Sequence, residues 1–191
     1  NSAQTVTVTG VNDNLIDGTI TSTLTVTVND GSSDNNFDPV NDQTVSVTTT
    51  DNDVAGFTIA ESGGSTSVAE TGSTDTFTVV LNAQPNSDVV VQFASGDTGE
   101  ATVTGNLTFT SGNWNTPQTV TVTGVDDNLI DGTVNSTITA SIVDAASDNN
   151  FDSVANQTVS VATTDNDVAG FTIAESGGST SVAESGTTDT F

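Results

Sequence analysis

Two passages of this chain are nearly the same passage. QTVTVTGVNDNLIDG starts at Gln4 and QTVTVTGVDDNLIDG at Gln118, and TTDNDVAGFTIAESGGSTSVAE starts at both Thr49 and Thr163, each pair 114 residues apart. Residues 4–77 and 118–191 agree at 58 of 74 positions. A period that long exceeds a solenoid turn and matches one whole domain, so the chain reads as a stretch of a domain array. Cut from linker to linker, one complete repeat is expected over 54–167. Residues 1–53 then form the back part of a preceding repeat, its last three strands E to G, and 168–191 the front part of a following one, its first two strands A and B.

Within the complete repeat the apolar residues alternate. Phe57 and Ile59 flank Thr58; Phe77, Val79 and Leu81 share a face; so do Val89, Val91 and Phe93. Leu107 with Phe109, Val120 with Val122, Ile138 with Ala140 and Ile142, and Val159 with Val161 continue the pattern, mostly with Thr or Ser between them. Period-2 alternation with β-branched residues is the signature of a half-buried strand, and no segment carries a helical period. Seven strands separated by Gly, Asn, Asp and Ser turns predict an all-β, immunoglobulin-like antiparallel sandwich. Call the strands A to G and reverse direction at each. One end then collects the A–B turn, the C–D and E–F loops and the end of G; the other collects the B–C, D–E and F–G loops. Since G runs on into the next A, the array is expected to be a head-to-tail rod.

Charge is the second constraint. The chain has 25 Asp and Glu, no Lys, Arg or His, and a net charge of −25. An ordinary chain of this length would carry roughly 20 basic residues. Nucleic acid is excluded as a partner, because its phosphates need Lys and Arg, and anionic membranes would repel this surface. No apolar run approaches a membrane span, so direct membrane insertion is not expected. With no Cys there are no disulfides, and with no Lys there are no Lys–Asn isopeptide links. A serine without His or Lys makes no familiar nucleophile, and the same acids recur in each repeat as a structural feature would, so the chain is read as no enzyme.

The acids concentrate in loops that the topology brings to one end: Glu70 in the A–B turn, Asp97 and Glu100 in C–D, Asp126, Asp127 and Asp131 in E–F, and Asp165 and Asp167 after G. Asp13, Asp17, Asp51 and Asp53 occupy the corresponding places in the preceding partial repeat. Two carboxylates about 6 Å apart repel by roughly 3 kcal/mol at an effective dielectric near 20. Such an array is either solvated and splayed, as Asp-rich turns can be, or clamped by a cation. A hard, all-oxygen donor set suits Ca2+, and the absence of His and Cys excludes zinc. NDNLIDG lacks the spacing and closing Glu of an EF-hand loop. A second acidic group, Asp144, Asp148 and Asp152 in the F–G loop, reads as a turn-rich surface loop, with a linker-bridging calcium as the alternative.

DNDVAGFTIAESGGSTSVAETGSTDTFTVVL followed by QTVTVTGVDDNLIDG resembles a Calx-beta-type repeat of large bacterial surface, adhesin-like proteins. The resemblance spans the whole period. It implies calcium ligands at Glu70, at Asp126 and Asp127, and at Asp165 and Asp167, with Asp131 near a further loop acid. The preceding repeat departs from it with Asn12 in place of Asp126. The expected role is a secreted structural repeat of a cell-surface fibre, stalk or adhesin, stiffened by calcium at domain ends and linkers. Its expected partners are neighbouring repeats and possible further copies in a filament. The alternatives are a loop-mediated ligand- or glycan-binding module and a self-assembling extracellular filament subunit.

Overall fold

The computed structural model describes residues 2–191. Its strands are β1 (Ile20–Val26), β2 (Gln43–Thr49), β3 (Phe57–Glu61), β4 (Thr66–Ala69), β5 (Thr74–Leu81) and β6 (Val89–Ser95). They continue with β7 (Ala101–Val103), β8 (Leu107–Phe109), β9 (Gln118–Gly124), β10 (Val134–Ile142) and β11 (Gln157–Thr164). Strands β3 to β11 form a sandwich of two sheets, one ordered β3-β5-β9-β7 and the other β4-β11-β10-β6-β8. The only helical elements among the described residues are short 3-10 turns, and none is long and apolar enough to cross a membrane.

The alternating apolar residues meet between the sheets. Phe77, Val79, Val120 and Val122 from one sheet are fully buried against Val89, Val91, Ile138 and Val161 from the other. Phe77 and Phe93 pack edge to face across this core, with centroids 5.7 Å apart. Thr at the intervening positions faces outward and leaves the apolar stripe to one side, which fixes register because a one-residue slip would invert every side chain. Trp114, between β8 and β9, is half-buried against the core, and its carbonyl accepts the Leu81 N–H at 3.1 Å.

The sandwich has nine strands where seven were expected. The first strand is split: β3 pairs antiparallel with β5, and β4 crosses to the other sheet and pairs in parallel with β11. Gly63 and Gly64, with φ of 66° and 84°, turn the chain between them. This is the conformation that glycine adopts without a Cβ clash. The three-residue β7 pairs with β9 and was hidden in what reads as a loop.

The partial repeats keep only what they can pair. β1 and β2 form a hairpin in the register that β10 and β11 use, with Ile20 opposite Thr49 as Val134 is opposite Thr163. Residues 4–10, identical to 118–124, were expected to be a strand and are not one. In the complete repeat this stretch, β9, is bonded to β5 and β7, and the sequence before residue 4 holds neither partner. The strands expected within 168–191 are likewise absent. Local contacts survive there: Asp189 accepts from Ser181 N–H as Asp75 does from Ser67, and Thr187 from Ala183 as Ser73 does from Ala69. Turn chemistry needs only its own residues, whereas a ladder needs a neighbour.

Candidate metal centre

Strand reversal gathers the acidic loops as the topology requires. At the end of the sandwich where β11 leaves, one carboxylate oxygen each from Glu70, Glu100 and Asp131 lie within 4.8 Å of one another. One oxygen each from Glu70, Asp165 and Asp167 do the same, so Glu70 belongs to both groups. Four separate stretches supply them: the turn after β4, the segment before β7, the loop between β9 and β10, and the linker after β11. Glu70 is positioned by its own backbone, whose N–H donates to the Thr164 carbonyl at 3.1 Å and so extends the β4–β11 pairing by one residue.

Burial makes this cluster unlike a solvated loop. Glu70 is 1% exposed and Glu100 6%. Glu100 Oε2 and Asp167 Oδ2 are buried and have no hydrogen-bond partner. Since the chain has no basic residue, no ion pair can compensate them. Burying an ionised carboxylate without a counter-charge is strongly unfavourable, so the group either takes a proton or meets a cation.

The electrostatics divide the acids into two kinds. Burial raises the Glu100 carboxyl above its ordinary value, with Asp131, Asp97, Glu70 and Asp127 adding to the effect. Burial likewise raises Asp167, helped by Asp165, Asp126, Asp127 and Asp131. The Asn166 amide, donating to Glu70 Oε2 at 3.1 Å, pulls Glu70 down, but burial and the charges of Asp165, Asp127 and Asp131 outweigh it and the net direction is up. Asp165 goes the other way. It accepts the backbone N–H of Asp167 at 2.6 Å and of Gly132 at 2.9 Å, and these bonds hold it below its ordinary value.

The remaining expected residues are placed as follows. Asp127 is half-buried and accepts the Leu129 N–H at 2.6 Å. Asp126 is exposed and accepts from the Asn166 side chain at 2.9 Å, on the rim of a cleft it shares with Glu70, Thr71 and Gly72. Asp97 is exposed and folds back onto its own loop, accepting from Gly99 N–H at 3.0 Å, so it reaches the site only through its field. In the preceding partial repeat Asp51 accepts from Asp53, Gly18 and Asp17 N–H, and the Asp53 and Gly18 bonds lead in lowering it. Asp53 is raised by burial and by Asp51, Asp13 and Asp17, while Asp13 accepts from Leu15 N–H at 3.0 Å. These four repeat the linker half of the site. The residues that match Glu70 and Glu100 would precede residue 4, so no group of three converging carboxylates forms there among the described residues.

Asn166 is the residue of this cluster that sequence reasoning missed. It ties Glu70 through its backbone and Asp126 through its side chain, and the signal for it was the Asn set between the two linker acids in both TTDND segments. The F–G acids do not converge on a metal group among the described residues. Asp148 is instead buried and accepts three backbone N–H groups, from Asn86, Ser87 and Asn150.

The donor set fits a hard divalent cation. It is all oxygen, it converges, and two of its buried oxygens lack any other partner. Calcium takes 6–8 oxygens and accepts irregular geometry, and magnesium keeps more water. Bound there, the ion would supply the positive charge that the sequence omits.

No family model matches the chain, and no curated protein does. Similar solved structures include domains 4 and 5 of the S-layer protein SbsC, at 25% identity over 75% of this chain and 57% of that one, with a TM-score of 0.44. The apo-form Calx CBD1 domain matches at 16% identity over 58% of this chain and 98% of that one, TM-score 0.41. The E. coli chaperone DraB matches at 10% identity over 60% of this chain and 59% of that one, TM-score 0.42. The chain thus spans little more than half the length of the S-layer fragment.

Proposed function

We propose that this chain is a structural spacer of an extracellular tandem array, and that calcium at the seams between its sandwiches makes the array stiff. One observation carries the reading: Glu70, Glu100, Asp131, Asp165 and Asp167 converge in two groups that share Glu70, at the point where one repeat passes into the next. Glu70, Glu100 and Asp131 belong to the sandwich body, whereas Asp165 and Asp167 belong to the linker. An ion held by both fixes the direction in which the chain leaves. Without it, the like charges favour a linker that swings away from the turn after β4 and from the loop between β9 and β10.

No chemistry beyond charge neutralisation is required of the ion. Near-identity of repeats also favours a spacer over a recognition surface, since a spacer has no need to vary its loops. The setting is outside the cell, where calcium is abundant and a chain without disulfides needs some other staple.

Small-angle scattering of the full chain tests this. In millimolar calcium the particle is expected to be longer and less flexible than in chelator. Identical scattering profiles in the two conditions would contradict the stiffening role.

A further inference from the structure

The two copies of NLIDG are in different situations. Leu15 and Ile16 are half-buried, whereas Leu129 and Ile130, their equivalents in the complete repeat, are 63% and 61% exposed. The difference is what the first copy touches. The Asn14 carbonyl accepts the Gln84 N–H at 2.7 Å, and Leu15 forms a parallel bridge to Gln84. The Ile16 carbonyl accepts from the side chains of Asn86 at 3.0 Å and Asn150 at 3.2 Å, and Ile16 packs against the sandwich core. The preceding repeat's loop is therefore seated on the end of the next sandwich, on the turn between β5 and β6 and the loop between β10 and β11.

The receiving surface is built for this. Asp148 fixes the two loops to each other by accepting N–H groups from Asn86, Ser87 and Asn150, so its charge is spent internally. The groups that meet the incoming loop are neutral: the Gln84 backbone and the Asn86 and Asn150 side-chain amides. The incoming Asn-Leu-Ile is neutral as well. In a chain of net charge −25, most approaches between two copies bring carboxylates together, whereas the groups that touch here are uncharged amides and carbonyls.

The second copy of the loop is presented in the same way. Asp165 accepts the Gly132 N–H at 2.9 Å, as Asp51 accepts that of Gly18 at 2.8 Å. Residues 168–191 begin another repeat with almost the sequence of 54–77.

We propose that Leu129 and Ile130 are a docking ridge for the end of another copy of this repeat, received by the residues that match Gln84, Asn86 and Asn150. The contact is a neutral latch beside the acidic seam. It rests on the tandem-array reading and not on the bound cation.

The test uses the full chain continued by a copy of residues 78–167, so that the repeat begun at 168 is complete. Amide hydrogen exchange is followed in the added repeat, in calcium and in chelator, for the native sequence and for Leu129→Asp with Ile130→Asp. Both side chains are exposed, so the substitutions leave the sandwich folded. The amide matching Gln84 is expected to exchange about tenfold or more faster in the variant, in at least one condition, because its acceptor leaves. Equal exchange in the two chains under both conditions would overturn the latch. That result would leave the calcium-dependent scattering of the full chain untouched, so the two failures are distinguishable.

Discussion

Glu70, Glu100 and Asp167 are acids held where ionisation is unfavourable, and Asp51 and Asp165 are acids held where it is favoured. The two kinds respond oppositely to pH. A carboxyl raised in the folded state weakens folding when ionised, and that penalty fades as pH falls through its folded value. A carboxyl lowered in the folded state stabilises above its unfolded value, 3.8 for Asp, and loses this only as pH falls further, through its folded value. In chelator, melting temperature is therefore expected to rise as pH drops from 7.5 to about 5 and to fall again well below 4. Calcium competes with those protons, so millimolar calcium is expected to reverse the order of pH 7.5 and pH 5. A thermal scan series checks both signs, and Glu100→Gln should flatten the rise in chelator by removing one penalised charge. The site was legible in the sequence as a set of loops, because strand reversal alone decides which loops share an end. Which acid of SGDTGE turns inward was not legible. Asp97 and Glu100 sit three positions apart, and the choice depends on Asp97 accepting from Gly99 N–H and on Glu100 lying immediately before β7.

Gly124 shows how the strands constrain the site. It ends β9, it is buried, and its N–H donates to the Ser73 carbonyl at 3.0 Å. A Cβ on it would collide with the backbone carbonyl of Ala69, the residue before Glu70. Backbone cannot give way as a flexible side chain can, so Gly124→Ala is expected to destabilise the sandwich by about 1–3 kcal/mol and to displace Glu70. Denaturant unfolding measures the first effect, and a weakened calcium response the second. At this scale, seven strands were readable from alternation because each buries one face. β4 was missed because two glycines interrupt the pattern just before it, and parallel pairing with a strand some 95 residues later leaves no local trace. β7 is too short to alternate. Residues 4–10 make the complementary point: a sequence identical to β9 carries the same propensity and still forms no strand without β5 and β7 beside it.

Across the whole molecule, the acids serve two ends. Those on exposed faces disfavour edge-to-edge pairing with other chains through like-charge repulsion. Those at the seam converge where a proton or a bound cation would relieve their repulsion. The sandwich supplies stability through its apolar core, and in the proposed reading a cation at the seam sets the direction in which the chain leaves it. The repeat was the most legible feature of all, since a period of 114 needs no structural knowledge to detect. The docking of one repeat's NLI loop on the next was not, because identical sequences occupy different environments in the two copies.

The central claim is that the converging carboxylates hold calcium. Isothermal titration of calcium into the full chain, paired with its melting temperature, addresses it most directly. Saturable binding is expected, with a melting temperature about 10 °C higher when calcium reaches about 100 times its dissociation constant, the equivalent of roughly 2.7 kcal/mol. Glu70→Gln, which touches both carboxylate groups, should weaken that binding about tenfold or more. No binding at millimolar calcium, and a melting temperature the same with calcium as with chelator, would contradict the account.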